Sequence, residues 1–204
     1  MSDLPQADKI SGLPHPNETQ RLFGHEAPQA QVLEAINGDR VHHAWMLTGP
    51  KGIGKATLSY HIARFLLAQN PPSGSLFGTP PHVTSLDVPP DHSVVSRIRA
   101  GSEPSLCILR RPLDEKTGKL KTVITVDTVR ELRKFFSLSA GGNGRRIVIV
   151  ECIDDMNANA ANALLKVLEE PPQDAVLLLV THQPSRILPT IRSRCRTLPC
   201  APLS

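Results

Sequence analysis

Apolar residues along the chain recur with two different spacings, and the alternation between these spacings predicts the fold. Short runs rich in apolar and β-branched residues, typical of strands in a parallel sheet, occur at 44–47, 146–150 and 175–180, and a shorter strand-like piece lies at 197–198. Helical spacing occurs between and around them, at 27–36, 55–67, 127–137, 157–170 and 187–192. Strands that alternate with helices predict an α/β fold, with an open parallel sheet flanked by helices on both faces.

Segments that show neither strand-like apolar runs nor helical spacing are predicted to be the ends and loops of the domain. Residues 1–20 are polar and contain proline, so we interpret them as a flexible leader before one domain at 21–204. Paired prolines separated by Gly and Ser predict a surface insertion loop at 70–92. The segment 110–121 carries charges of both signs and is predicted to be a hairpin or solvated loop, with DNA contact as the less favoured alternative. Asp127 is placed to cap the helix that follows it.

Composition narrows the class of protein. The 204 residues are 40% hydrophobic, enough for one core, and only 3% aromatic. The net charge of +4 permits contact with nucleic acid without indicating it. No run reaches the roughly 18 apolar residues of a membrane helix, and no secretion signal is visible, so we expect a cytoplasmic protein. The four cysteines form no CxxC pair, so we predict reduced thiols and no metal site.

One motif of the sequence predicts phosphate binding. Gly49, Gly52, Gly54 and Lys55 fit the pattern GxxxxGK, after a predicted strand and at the start of a predicted helix. Glycines allow the backbone N–H groups to surround a phosphate, the helix N-terminus favours negative charge, and the lysine reaches the terminal phosphates. We therefore predict that these residues, with Thr57 nearby, bind a nucleotide.

The same motif lacks its magnesium ligand. A Ser or Thr hydroxyl normally follows the lysine and binds Mg²⁺, but here that position is Ala56. Thr57 comes one residue later, where a helix turns it by about 100° from the required direction.

A second acidic motif is also degenerate. The strand 146–150 should end in Asp-Glu, one carboxylate for magnesium and one for the attacking water, but the chain has Glu151 and Cys152. A thiol in an apolar context is no base at neutral pH. Asp154 and Asp155 lie beyond the strand end, where we favour capping or solvent-facing roles. We therefore expect ATP or ADP to bind without hydrolysis.

Several further motifs together resemble a known family. The helix from Asn157 to Pro172, with Ala-Leu-Leu-Lys-Val-Leu-Glu-Glu-Pro-Pro at its end, is similar to the signature helix of clamp-loader AAA+ subunits. Ser193, Arg194 and Cys195 are similar to their SRC motif, and Leu22-Phe23-Gly24-His25 resembles the segment that lines their adenine pocket. The resemblance extends from about 21 to 202, and within the family it is nearest to the delta-prime type of bacterial DNA polymerase III.

The resemblance implies a role in DNA replication. Such subunits form a five-membered ring, here with gamma/tau and delta subunits, that loads the sliding clamp onto primer-template DNA. Arg194 would then be an arginine finger that acts on the ATP of the neighbouring subunit, and Thr181 or His182 would lie near the sensor 1 position. The subunit would be part of the polymerase III holoenzyme without ATPase or polymerase activity of its own.

The sequence departs from the family in two respects, and two other functions stay open. The region 68–107 has a single cysteine where many relatives have a zinc module, so no zinc is expected. We also expect the lid and the C-terminal collar domain of the family to be absent from this chain. The main alternative is an autonomous AAA+ ATPase, either a catalytic clamp-loader subunit or a branch-migration motor. A nucleic-acid binding module is the third, and the lack of interleaved aromatic residues argues against it.

Overall fold

A computed structural model describes residues 12–19, 21–38, 41–69, 82–114, 116–137 and 144–203 of the chain. Its centre is a five-stranded sheet in which every pairing is parallel, in the order β2-β3-β4-β1-β5. The strands are β1 (Ala44–Thr48), β2 (Leu106–Leu109), β3 (Arg146–Val150), β4 (Ala175–Thr181) and β5 (Arg196–Pro199). The predicted α/β fold with an open parallel sheet is therefore confirmed.

Helices cover both faces of this sheet. They are α1 (Glu26–Asn37), α2 (Lys55–Ala68), α3 (Ser93–Ala100), α4 (Val126–Ser137), α5 (Ala158–Glu169) and α6 (Pro189–Arg192). Successive strand residues point to opposite faces, so Trp45 and Leu47 pack towards α1 and α2 while Ala44 and Met46 pack towards α4 and α5. The central strands β1 and β4 are buried throughout, which is why their sequences are continuous apolar runs.

Two elements had no counterpart in the sequence prediction. The helix α3 and the edge strand β2 lie in 93–109, between the predicted insertion and the polar hairpin. Both are short, and β2 lies at the edge of the sheet with only its last residue fully buried. All four residues of β2 are apolar, but a run this short cannot be assigned to a strand or a helix by periodicity alone.

The predicted insertion loop is only partly a surface segment. Residues 70–81 lie outside the described residues, and 82–92 have no regular secondary structure. Leu86, however, is 1% exposed and belongs to the core cluster beside α2. Beyond β2, the bridge between Leu113 and Leu120 confirms the predicted hairpin.

Part of the predicted leader is packed against the domain. Residues 12–19 form turns, and the buried guanidinium of Arg64 donates hydrogen bonds to the carbonyls of Pro16 and Thr19, at 3.1 and 2.7 Å. His15 is buried with its ring edge-on to that of Tyr60. The first eleven residues of the leader lie outside the described part of the chain.

The ends of α4 and α5 differ in how they are capped. Asn157 accepts a hydrogen bond from the N–H of Ala160 at 2.8 Å and so caps α5. Asp127 was predicted as the corresponding cap of α4, but that helix begins at Val126. Asp127 therefore lies inside the first turn, where its carboxylate accepts a hydrogen bond from Arg130.

Within the described ranges, no helix has the length and apolar character needed to cross a bilayer.

Candidate nucleotide site and arginine motif

The predicted phosphate loop connects the C-terminal end of β1 to the start of α2. Gly49, Gly52 and Gly54 all have positive φ angles, of 144, 86 and 91°. Glycine adopts this region without the steric cost that a Cβ atom brings. Gly54 is the residue before α2, so the loop ends directly on the N-terminus of a helix of 14 residues. The predicted strand, glycine-rich turn and helix are therefore all present in the expected order.

Gly49 is required for a second reason, because the end of β5 lies against it. The N–H of Cys200 donates to the carbonyl of Thr48 at 2.8 Å, which extends the pairing of β1 and β5 up to the loop. A Cβ atom built on Gly49 would overlap the carbonyl oxygen of Cys200. The chain after the SRC motif thus forms one wall of the phosphate loop.

Lys55 points into the loop and is 3% exposed. Its Nζ donates a hydrogen bond of 2.7 Å to the carbonyl of Gly49 and a second bond to the carbonyl of Pro50. Burial lowers the pKa of Lys55 below its usual value, against the opposing effect of Cys200, Cys152 and Asp154. The ammonium is therefore held by loop carbonyls, and a bound phosphate would compete with them for it.

The positions predicted to lack a magnesium ligand occupy the first turn of α2. Ala56 follows Lys55 directly and carries no oxygen on its side chain. Its carbonyl accepts a hydrogen bond from the hydroxyl of Ser59 at 2.7 Å. Thr57 is the next residue, on a different side of the helix.

Glu151, at the end of β3, forms an ion pair with Arg110. Its side chain is 2% exposed, and the Nη1 of Arg110 lies 3.5 Å from its Oε1. Arg110 follows β2, whose last residue accepts a hydrogen bond from the N–H of Glu151 at 3.0 Å. Arg111 forms the corresponding pair with Asp155, at 3.1 Å. Arg110 and Arg111, both in the segment 110–121, thus form ion pairs with acidic residues at and just beyond the end of β3.

Cys152 is a thiol and not a thiolate. Burial, together with the nearby carboxylates of Asp155 and Asp154, raises its pKa to about 12. A group with this pKa accepts no proton from water at neutral pH, since it already carries its own.

Asp154 has a role that the sequence did not indicate. One carboxylate oxygen accepts hydrogen bonds from the hydroxyl of Thr181 and the N–H of Gln183, at 2.9 and 3.1 Å. The other accepts from the N–H of His182 at 2.8 Å. Burial would raise the pKa of Asp154, but these hydrogen bonds outweigh it and hold the pKa below the usual value. Asp154, for which a capping or solvent-facing role was predicted, therefore ties the acidic motif to the end of β4. The spacing between Asp154 and Thr181 along the chain gave no signal of this contact.

The segment leading into α1 contacts the loop through His25. Its Nε2 lies 2.7 Å from the carbonyl of Ile53, within the loop. Phe23, two residues earlier, is 60% exposed, with the guanidinium of Arg21 stacked 4.8 Å from its ring centroid. The predicted Leu-Phe-Gly-His segment therefore does border the loop.

Two residues of the SRC motif share a hydrogen-bond acceptor, and the third packs against the core. Ser193 and Arg194 both donate to the carbonyl of Thr190, from Oγ at 3.1 Å and from Nη1 at 2.9 Å. Cys195 packs, partly buried, against the core cluster that includes residues of α5 and α6, and burial raises the pKa of its thiol to about 12. The Nη2 of Arg194 lies 3.0 Å from Oε1 of Glu169.

Arg194 is not brought to the phosphate loop of its own chain. Among the described residues its side-chain partners are Thr190 and Glu169, and neither belongs to the loop. A groove of about 620 Å³ between α4 and α5 is likewise separate from the loop, with Arg130, Arg133 and Lys166 in its lining. The carbonyl-bound lysine and the half-exposed arginine thus belong to two separate places on the domain.

The residues at the loop fit the phosphates of a nucleotide but do not fit magnesium. The glycines and the helix N-terminus supply backbone donors, and Lys55 supplies a charge. The hydroxyl that would bind the metal is missing at Ala56, and Glu151 is paired with an arginine. Within the described part of the chain, no three His, Cys, Asp or Glu residues are grouped as a metal site. The parallel sheet and this loop together define a P-loop domain of the AAA+ class.

Comparison with known proteins places the domain more narrowly. A family described as "DNA polymerase III, delta subunit" matches residues 24–204, nearly the whole chain. The chain therefore belongs to this family, and the predicted resemblance is confirmed. DNA polymerase III subunit delta' of Pseudomonas aeruginosa is 41% identical over 175 residues, which cover 85% of this chain and 48% of that protein. The Bacillus subtilis protein of the same name is 32% identical, covering 84% of this chain and 46% of its own length.

A solved structure supports the fold. The structure of a DNA polymerase III gamma subunit-related protein from Thermotoga maritima superimposes with a TM-score of 0.57 at 22% identity, over 86% of this chain and 47% of that one. The chain spans about half the length of the curated relatives it matches.

Proposed function

We propose that this protein is a delta-prime-like subunit of the DNA polymerase III clamp loader that does not hydrolyse ATP itself. It helps to load the sliding clamp onto primed DNA, in a cytoplasmic five-membered ring with gamma/tau and delta subunits. ATP or ADP binds at the phosphate loop without turnover, and Arg194 acts as an arginine finger on the ATP of the neighbouring subunit.

The proposal rests on one observation: the phosphate loop of this chain lacks the groups needed for hydrolysis, whereas the candidate arginine finger lies away from that loop. The chain's own loop lacks a magnesium ligand at Ala56, its acidic residue Glu151 is paired with Arg110, and Cys152 is a protonated thiol. Arg194, in contrast, is half-exposed on an ordered turn away from that loop. A guanidinium is always charged and suits the developing charge on a phosphate, so it remains useful to a neighbour's site.

A reconstituted clamp loader that contains this protein tests the finger. Arg194→Ala should lower the kcat of ATP hydrolysis by the loader, and arginine fingers of GTPases are worth roughly 10³–10⁵ in rate. The ring has other sites that this substitution leaves intact, so the measured loss will be smaller. Arg192→Ala is the matched control, because Arg192 is an exposed arginine in the last turn of α6. Unchanged turnover with Arg194→Ala would contradict the assignment.

The isolated protein tests the loop. ATP binding with Mg²⁺ and no turnover is the expected result, and Lys55→Ala should weaken the binding. Turnover that Lys55→Ala abolishes would instead support the alternative of an autonomous AAA+ ATPase.

A further inference from the structure

Arg194 is held at two points by its own subunit. Nη1 donates to the carbonyl of Thr190 at 2.9 Å, and Nη2 lies 3.0 Å from Oε1 of Glu169. The side chains of Arg194 and Glu169 are 35 and 43% exposed, so the pair lies at the surface of the domain. A guanidinium has five N–H donors in a fixed plane. Two contacts set the direction of this plane and leave donors for a further acceptor.

Both contacts come from ordered elements. Glu169 is the last residue of α5, which Pro171 prevents from continuing. Thr190 lies within α6, and the partly buried side chain of Cys195 packs against the core on the other side of Arg194. The end of the signature helix and the SRC turn are therefore linked through one carboxylate and one guanidinium.

We propose that Glu169 is a positioning residue, which holds the guanidinium of Arg194 in the direction that serves the neighbouring subunit's nucleotide. This inference rests on the proposed finger role of Arg194. An arginine side chain has many rotamers, and a catalytic group must be held within about 0.5 Å of its productive position. Thr190 fixes one nitrogen and Glu169 fixes the other, so loss of the carboxylate leaves the guanidinium with a single anchor.

Kinetics of the reconstituted loader test the role of Glu169. Glu169→Ala and Glu169→Gln should lower kcat at an unchanged KM for ATP by a smaller factor than Arg194→Ala does, since misplacement of a catalytic group by 1 Å can cost about 100-fold at the affected site while the other sites of the ring stay intact. Glu169→Asp keeps the charge and should recover part of the loss. Glu170→Gln is the matched control, because Glu170 is the adjacent exposed carboxylate at the same helix end. The melting temperature should stay the same, because half-exposed ion pairs contribute little to stability.

The outcomes separate this inference from the proposed function. If Arg194→Ala leaves turnover unchanged, the finger role fails, and the positioning role fails with it. If Arg194→Ala slows turnover but Glu169→Ala and Glu169→Gln keep or exceed the normal kcat, only the positioning role is overturned. A fall in melting temperature that accompanies the loss would also overturn it, because Glu169 would then be structural. The double variant should be no slower than Arg194→Ala alone, since both substitutions act through one group.

Discussion

The carboxylate of Asp154 accepts a hydrogen bond of 2.9 Å from the hydroxyl of Thr181, which joins the turn after β3 to the last residue of β4. The backbone N–H groups of His182 and Gln183 donate to the same carboxylate. Three donors from one strand end thus depend on a single side chain. The segment that carries Thr181 and His182, near the expected sensor 1 position, is held in place by this interaction.

We expect Asp154→Asn to destabilise the domain by about 1–3 kcal/mol, because an amide NH₂ would face backbone N–H donors that lose their acceptor. The free energy of unfolding from urea titration at pH 7 measures the effect. Asp91→Asn, at an exposed carboxylate, is the control and should change little.

The difference in unfolding free energy between Asp154→Asn and the unsubstituted protein should disappear at acid pH. Asp154 has a lower pKa in the folded state than in the unfolded state, because its hydrogen bonds to the end of β4 outweigh the effect of burial. Its contribution to stability is therefore complete above the pKa of the unfolded state and is lost as the pH falls through the folded pKa. A stability difference that persists unchanged at the lowest pH where the protein is folded would contradict this account.

Arg110→Gln should destabilise the domain, because it removes the cation beside a carboxylate that is 2% exposed. Breaking a fully buried pair costs about 3–5 kcal/mol, and the partial exposure of Arg110 reduces the expected loss to about 1–2 kcal/mol. Adding Glu151→Gln to this variant should restore part of the stability, since the buried charge is then gone. Chemical denaturation of the four members of the double-mutant cycle measures the coupling, and additive effects would contradict the pairing.

Comparing the stability losses of Gly49→Ala and Gly52→Ala distinguishes the cost of backbone strain in the phosphate loop from the cost of a steric clash. Both glycines have positive φ, but a Cβ at Gly52 meets no atom within 4 Å, whereas a Cβ at Gly49 meets the carbonyl of Cys200. Gly52→Ala should cost about 1–2 kcal/mol from strain alone. Gly49→Ala should cost about 1–3 kcal/mol more, from the displaced end of β5. Thermal unfolding of the two variants compares them, and equal losses would show that β5 adjusts freely.

The cysteines should react slowly in the folded protein. Burial raises the pKa of Cys107 and Cys200 to about 11, and that of Cys152 and Cys195 to about 12. Thiolate is the reactive form, so a disulfide reagent at pH 8 should release little product until urea is added. The unfolded chain, with four cysteines, provides the reference for complete reaction. Rapid labelling of Cys152 in the folded state would show that its thiolate is populated, which would contradict the raised pKa and allow Cys152 to act as a base.

The central fold could be predicted because its elements are long or strongly patterned. β1, β3, β4, α2 and α5 all lie within one or two residues of their predicted bounds. The edge strand β2 and the helix α3 were missed because they are only four and eight residues long, and periodicity alone does not assign such short segments. Leu86 was assigned to a surface loop because prolines precede it, and only packing against α2 shows that it is buried.

The sequence by itself determined the phosphate loop, the missing magnesium ligand at Ala56 and the family motifs, because these depend on residue type and local spacing. Only the tertiary structure decided the partners of the charged groups. Arg110 with Glu151, Asp154 with Thr181 and Glu169 with Arg194 are each separated along the chain by 25 or more residues. Local spacing carries no signal for such pairs, because the packing of strands and helices in the sheet brings them together.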